Sequence, residues 1–251
     1  MENDARQAEE QPAGEGLRSL AEAIADCRKC GLCQSRTQVV FGVGNPRARL
    51  MFVGEGPGFH EDRLGEPFVG AAGKLLNELL AGIGLSRADV YIANVVKCRP
   101  PENRDPASDE IEACSPHLMD QIALIRPTVI CTLGRFATKL IAETELSITA
   151  IHGKAKEKTL GGVRTVIFPV FHPAAALYTP ANRHVLEEDF LKLRRLLERG
   201  VDALSQAGPC EDRTTGGEPA VAGATSPAPS EAPPVASRRP GPPRTEQLPL
   251  W

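Results

Sequence analysis

The sequence GEGPGFHEDRLGEPFVGAAG occupies residues 54–73 and holds six glycines. An apolar run at residues 50–53 precedes it and predicts a buried strand, and leucines at helical spacing follow over residues 75–83. In open α/β sheets, ligands bind in such loops at the carboxyl ends of strands. Because two prolines and Phe68 stiffen this loop, we expect it to form part of a binding site rather than an ordinary connector.

The glycines of this loop do not match the common phosphate-binding motifs. Neither GxxxxGK[ST] nor GxGxxG in the right register is present. The alternation of Gly54, Gly56 and Gly58 is weak evidence by itself, so the function has to be inferred from the surrounding residues.

Buried strands alternate with helices along the chain. Strands are predicted at residues 50–54, 90–96, 128–133 and 164–169, with a short one at 39–41. Helices are predicted at residues 17–25, 75–83, 108–125, 134–142 and 182–199, with Ser108 as an N-cap. This alternation predicts an α/β fold whose parallel sheet is covered on both faces.

The two ends of the chain differ in composition from its middle. Residues 1–16 are polar and acidic, so we expect them to be disordered. Residues 201–246 are rich in Pro, Ala, Gly and Ser and are predicted to be a flexible linker. The folded domain is therefore expected to span residues 17–200, with a separate short motif at 247–251.

Composition excludes some classes of protein. The sequence is 41% hydrophobic, without an apolar run long enough to span a membrane. Its first residues lack the apolar segment of a secretory signal, so we expect a cytoplasmic protein. The net charge is −3, but the acidic ends leave the middle of the chain mildly basic, which permits a groove for nucleic-acid phosphates without demanding one.

Seven cysteines in a cytoplasmic protein are more often thiols or metal ligands than disulfides. Cys27 and Cys30 have the spacing of a ligand pair, and Cys98 and Cys114 can converge with them on a zinc ion or an iron–sulfur cluster. Alternatively Cys33 supplies a third ligand, or all these thiols are unconnected. Two further cysteines are expected not to be ligands, one in an apolar strand and one in the tail: Cys131 and Cys210.

The ordered set of motifs resembles the family 4 uracil-DNA glycosylases, the iron–sulfur branch of their superfamily. The resemblance covers about residues 25–199. Its motifs are the Cys27/Cys30 pair, GEGPG with Glu61-Asp62, GEPFVG at 65–70, Asn94 followed by VVKCRPP, Asn103-Arg104, and Phe171-His172-Pro173. The resemblance implies a three-layer α/β/α sandwich with a central four-stranded parallel sheet, and a [4Fe–4S] cluster on Cys27, Cys30, Cys98 and Cys114. It leaves Cys33 without a ligand role.

The resemblance also implies removal of uracil from DNA by hydrolysis of the N-glycosidic bond, the first step of base excision repair. Such an enzyme must flip the base into a pocket, here one containing Gly54 and Gly56. Phe68 would stack on uracil, Asn94 would read its pyrimidine edge, and His172 would donate to O2 as negative charge builds there. Without the resemblance, these residues would be a core phenylalanine, a turn asparagine and a loop-stabilising histidine.

The residue that positions the hydrolytic water is left open. The best-known branch of the superfamily has an aspartate where this chain has Gly56. Glu55, Glu61 or Asn94 can take that role, with Glu55 mainly a pocket residue. Another branch traps DNA covalently through a histidine in a basic insertion, which this chain lacks after Lys97, so we expect turnover.

DNA contacts are expected on the loop of residues 97–104 and after His172. Arg99 and Arg104 are candidates for phosphate contacts, although each can equally be a solvated surface charge. Leu177 is a candidate wedge for the vacated base stack, or a core residue.

The end of the tail, Gln247-Leu-Pro-Leu-Trp251, resembles the short motif that docks bacterial repair proteins onto the DNA polymerase sliding clamp. Uracil-containing DNA, single- or double-stranded, and the clamp are thus the expected partners of a monomer associated with the nucleoid. Two alternatives remain: a noncatalytic iron–sulfur DNA-binding module of the same fold, and a redox or metal-transfer protein.

Overall fold

The computed structural model describes residues 2–199, and only the course of the backbone for residues 2–12. The predicted linker, Cys210 and the motif at 247–251 lie outside the described residues. None of the described helices is both long and apolar enough to cross a membrane.

The described chain alternates helices and strands around one sheet. The helices are α1 (Glu2–Ile24), α2 (Phe59–Leu64), α3 (Ala71–Gly82), α4 (Ser108–Ile125), α5 (Gly134–Ala142), α6 (Ile148–Ile151), α7 (Pro173–Tyr178) and α8 (Pro180–Arg199). The strands are β1 (Val43–Gly44), β2 (Leu50–Gly54), β3 (Tyr91–Asn94), β4 (Val129–Leu133), β5 (Lys156–Leu160) and β6 (Val163–Val170).

The sheet has the strand order β1-β3-β2-β4-β6-β5. The four inner strands, β3, β2, β4 and β6, are parallel, as the sequence predicted. The edge strands β1 and β5 are antiparallel to their neighbours and were not predicted. The sheet therefore has six strands in the described chain, with the expected four-stranded parallel sheet at its centre.

Side chains of the inner strands alternate between two cores, one on each face of the sheet. In β2, Met51 and Val53 pack with residues of α1, α4 and α5. Leu50 and Phe52 pack on the opposite face with residues of α3 and α8. Cys131 is fully buried in the second core, as expected for a core thiol. The two cores make the fold a three-layer sandwich.

Several predicted boundaries differ from the structure. Helix α1 continues back to Glu2, over the segment expected to be disordered. The strand predicted at residues 39–41 is wrong: Val43–Gly44 pairs with β3 instead. Ser108 is the first residue of α4 and not its N-cap, because the cap is Ala107, whose N–H donates to the Glu110 carboxylate at 2.8 Å.

Candidate active site

A pocket of about 520 Å³ lies at the carboxyl ends of the parallel strands. It is lined by Glu55, Gly56, Pro57, Gly58, Glu61, Phe68, Ala72, Asn94, Pro100, Asn103, Arg104, His172, Ala174 and Tyr178. The residues predicted from three separate motifs thus share one cavity, because parallel strands end at the same edge of the sheet.

Asn94, the last residue of β3, is 1% exposed. Within the described part of the chain, its Oδ1 has no hydrogen-bond partner. Gly54 lies beside it in the sheet, and a Cβ there would come within 2.4 Å of Asn94 Oδ1 and 2.7 Å of Phe68 Cζ. Because Gly54 has no side chain, the amide of Asn94 and the ring of Phe68 can both approach its backbone. The buried Oδ1 of Asn94 can receive a hydrogen bond from a ligand.

Phe68 is buried and has a positive φ of 55°, a conformation that bulky residues rarely adopt. Arg87 holds this turn by donating to the carbonyl oxygens of Pro67 at 2.8 Å and Phe68 at 3.2 Å. At Gly73, a Cβ would collide with the Phe68 carbonyl, 1.8 Å away. Arg87 was not predicted, because it lies outside the motifs, on the connection between α3 and β3.

Glu61 braces the same loop. Its Oε1 accepts hydrogen bonds from the backbone N–H groups of Val69 and Gly70, each at 3.0 Å. The carboxylate faces the pocket but is already engaged in holding the loop that carries Phe68. This engagement leaves Glu61 a weaker candidate than Glu55 for positioning water.

His172 caps α7, and its Nδ1 accepts a hydrogen bond from the N–H of Ala174 at 3.1 Å. Burial lowers the pKa of His172 to about 4, although the nearby Glu61 acts in the opposite direction. The imidazole is therefore neutral at neutral pH and carries its proton on Nε2, because Nδ1 is an acceptor. The loop-stabilising role uses only Nδ1 and leaves Nε2–H as a donor.

Glu55 follows β2 directly and lines the pocket. Burial raises the pKa of its carboxyl to about 7; Asp105 adds to this rise, and Arg135 opposes it. Arg135 itself pairs with Asp105. Glu55 can therefore change its charge near neutral pH, a property common to groups that act on protons.

The three predicted DNA-contact residues differ in their environments. Arg104 lines the pocket, but its guanidinium forms a fork with Glu110 at 2.6 and 2.8 Å. Arg99 lies over the ring of Phe59, 5.2 Å from its centroid. Leu177 is 47% exposed, so it is not a core residue, and its neighbour Tyr178, which is 87% exposed, lines the pocket. Tyr178 was missed because no motif marked it.

A second, small cavity of about 20 Å³ is lined by four cysteines. They are Cys27, Cys30, Cys98 and Cys114. Cys33 lines a different surface depression. Among residues 2–199, no three His, Cys, Asp or Glu side chains are grouped so as to hold a single metal ion.

Donors surround these thiols. Arg36 donates to the sulfur of Cys98 at 3.2 Å, and the backbone N–H of Lys97 donates to the sulfur of Cys114 at 3.3 Å. His117 Nε2 lies 3.8 Å from the sulfur of Cys27. Burial raises the pKa of Cys98 to about 11, with Arg36 opposing the rise. Sequence reasoning missed Arg36 and His117, because the cysteines that they contact, Cys98 and Cys27, are distant from them in sequence.

The chain is similar to proteins of one known family. The family model described as the uracil DNA glycosylase superfamily matches residues 41–195. The type-4 uracil-DNA glycosylase of Sulfurisphaera tokodaii is 52% identical over 192 residues, which cover 72% of this chain and 85% of the relative. Type-4 enzymes of Archaeoglobus fulgidus and Thermotoga maritima are 50% and 44% identical, each over 72% of this chain and 94% of the relative. The chain therefore belongs to the uracil-DNA glycosylase superfamily, in its type-4 branch.

Proposed function

We propose that this protein excises uracil from DNA by hydrolysing the N-glycosidic bond, leaving an abasic site for base excision repair. Its relatives at 50–52% identity carry the name of this activity. The observation that supports it most directly is the buried, unpartnered Oδ1 of Asn94 in a pocket shared with Phe68 and His172.

Recognition would follow from hydrogen-bond complementarity. The Oδ1 of Asn94 accepts, and uracil presents a donor at N3–H. Cytosine presents an acceptor at N3, so Asn94 Oδ1 would remain unpaired. The lone pairs of Oδ1 and of cytosine N3 would then point at each other. Phe68, at the pocket wall, would provide the stacking surface for the flipped base.

The chemistry would depend on stabilising the leaving base. As the bond between C1′ and N1 breaks, negative charge develops on uracil, and Nε2–H of His172 would donate to O2. A water molecule would add its oxygen to C1′, and the proton that it gives up would neutralise the departing uracil anion. Glu55 would orient this water, and in its ionised form would accept the hydrogen bond that the water donates.

The four-cysteine cavity would hold a [4Fe–4S] cluster. The residues fit this group chemically, since four thiols line one cavity and Arg36 and Lys97 donate to two of the sulfurs. When bound, the cluster would connect the loop after β3 to α4 by bonds to Cys98 and Cys114. The separate position of Cys33 supports a ligand set of Cys27, Cys30, Cys98 and Cys114.

Binding of DNA and of a partner would use other surfaces. Arg99 and Arg104 would contact phosphates, and Leu177 would fill the gap left by the flipped base. Residues 247–251 would dock onto the sliding clamp and raise the local concentration of a monomeric enzyme at replicated DNA in the cytoplasm.

The test is incubation of the purified protein with a uracil-containing oligonucleotide, followed by alkali and a denaturing gel. A strand with cytosine at the same position is the control. We expect cleavage at uracil only, with a loss of about 10²-fold to 10³-fold in rate for His172→Ala. Retained DNA binding without cleavage would instead indicate a noncatalytic module.

A further inference from the structure

Lys97 lies between the two sites: its backbone N–H donates to Cys114 in the cysteine cavity, but its ammonium has not yet been given a role. The residue follows β3 by three residues and is 1% exposed. Its ammonium donates to the backbone carbonyl oxygen of Asn94 at 2.8 Å and to Oε1 of Gln121 at 2.5 Å. It therefore cannot be a DNA contact, although the loop that begins with it was predicted to bind DNA.

The second partner of Lys97 is equally buried and anchored. Gln121 belongs to α4, the helix that carries Cys114, and is fully buried. Its Nε2 donates to the carbonyl oxygen of Phe41 at 2.9 Å and to the hydroxyl of Tyr91 at 3.4 Å. The ammonium is thus held between the end of β3 and α4, so that movement of either element would strain these bonds.

The backbone of Lys97 also reaches the cysteine site. Its N–H donates to the sulfur of Cys114 at 3.3 Å, and Lys97 lines the four-cysteine cavity. The same residue therefore contacts a thiol through its backbone and the end of β3 through its ammonium.

We propose that Lys97 is a positioning residue that couples the cysteine site to base recognition: its backbone N–H donates to the sulfur of Cys114, and its ammonium holds the main chain of Asn94 in place. The backbone carbonyl oxygen that Lys97 holds and the unpartnered Oδ1 belong to the same residue, Asn94. A change in the cysteine site would therefore move the group that reads uracil. This inference rests on the proposed function, because it takes Asn94 as the uracil-reading residue.

Coupling between two sites is reciprocal, so if the intact cysteine site favours the position of Asn94 that reads uracil, occupancy of the pocket by uracil should stabilise the cluster. The probe is free uracil, at a concentration that inhibits cleavage of the uracil strand. Loss of the cluster from the wild-type holoprotein to EDTA under air is followed by its visible absorbance, with cytosine as the control base. We expect uracil to slow cluster loss by about fivefold or more, in the range of ordinary coupling energies, and cytosine to have no effect.

The variant Lys97→Met keeps the bulk of the side chain and removes its charge and hydrogen bonds. We expect it to abolish the protection by uracil and to raise the KM for the uracil strand more than it lowers kcat. Lys139→Met, on the exposed side of α5, is the matched control. If Lys97→Met does not take up iron, Gln121→Leu replaces it, because that change releases the ammonium from α4 and should also weaken the protection.

The outcomes separate this inference from the proposed function. Equal rates of cluster loss with and without inhibitory uracil would overturn the coupling while leaving the glycosylase activity intact. Unchanged protection in a folded, iron-containing Lys97→Met would overturn the role of Lys97. Absence of any cleavage at uracil would instead refute the proposed function.

Discussion

The imidazole of His172 lies against the ring of Phe68, with 5.5 Å between the ring centroids and 27° between the planes. The two residues are brought together by the fold, since Phe68 precedes α3 and His172 follows β6. Phe68 reaches this position only through a left-handed backbone conformation, which Arg87 and Gly73 accommodate. Such conformations persist where the surrounding structure imposes them, often at functional sites.

The lowered pKa of His172 predicts a pH-dependent stability. Its pKa is about 4 in the folded protein, against an ordinary value of 6.5. Between these values the unfolded chain binds more protons, so stability is full above about pH 6.5 and is lost as the pH falls toward 4. Urea unfolding of wild type and His172→Gln should show their difference changing over this window by at most about 3 kcal/mol.

The exposed His184, changed to Gln in the same way, is the control for this experiment. A difference between wild type and His172→Gln that stays constant from pH 7 to pH 4 would contradict the neutral, buried imidazole.

The raised pKa of Glu55 predicts the pH profile of cleavage. Because its pKa is about 7, Glu55 is increasingly ionised as the pH rises through neutrality. If the ionised form orients the water, single-turnover cleavage should rise through about pH 7 and level off above it. Glu55→Gln should flatten this rise, whereas Glu145→Gln, an exposed partner of Lys139, should keep it. A rise preserved in Glu55→Gln would assign it to another group.

Gly54→Ala tests the close approach of Gly54 to two residues that line the pocket, Asn94 and Phe68. The new Cβ would displace Asn94 and Phe68, its neighbours at 2.4 and 2.7 Å. We expect a loss of about 10²-fold in kcat/KM with the protein still folded, since small misplacements of reacting groups cost this much. Gly82→Ala, where a Cβ meets nothing within 4 Å, is the matched control and should retain activity. Equal activities for the two variants would show that the pocket tolerates the shift.

The cysteine cavity predicts which thiols are needed for iron. Cys98→Ser should lose most of the bound iron and visible absorbance, because its sulfur lines the cavity and receives the Arg36 hydrogen bond. Cys33→Ser should retain both, since Cys33 lies outside the cavity. The measurement that distinguishes the two variants is the amount of iron per protein in anaerobically purified samples. Loss of iron in Cys33→Ser would revise the ligand set.

Deletion of residues 247–251 tests the separation of catalysis from clamp binding. We expect the shortened protein to lose binding to the polymerase sliding clamp and to cleave free uracil oligonucleotides at the wild-type rate. A point variant, Trp251→Ala, should weaken clamp binding in the same direction, because an aromatic residue anchors such motifs in an apolar pocket. If the deletion also lowers cleavage of free oligonucleotides, the tail contributes to the enzyme itself.

Local sequence patterns determined much of this protein. The parallel strands were predicted because they are mostly apolar and buried on both faces, and α4 was predicted from the acidic residues of its first turn. The loop glycines, Asn94 at the end of β3 and the histidine before Pro173 marked the pocket, because parallel strands end at one edge. These signals are carried by residues close together in the chain.

Only the tertiary structure decided how distant residues cooperate. The edge strands β1 and β5 exist because a neighbouring strand offers free backbone groups, which their own short or charged sequences do not reveal. The burial of Lys97 next to Asn94 likewise depends on how α4 packs against the sheet. The position of Cys33 outside the cysteine cavity is also visible only in the folded chain. Burial and pairing are properties of the packed chain, so charges and thiols that look alike in sequence acquire different roles only when the fold surrounds them.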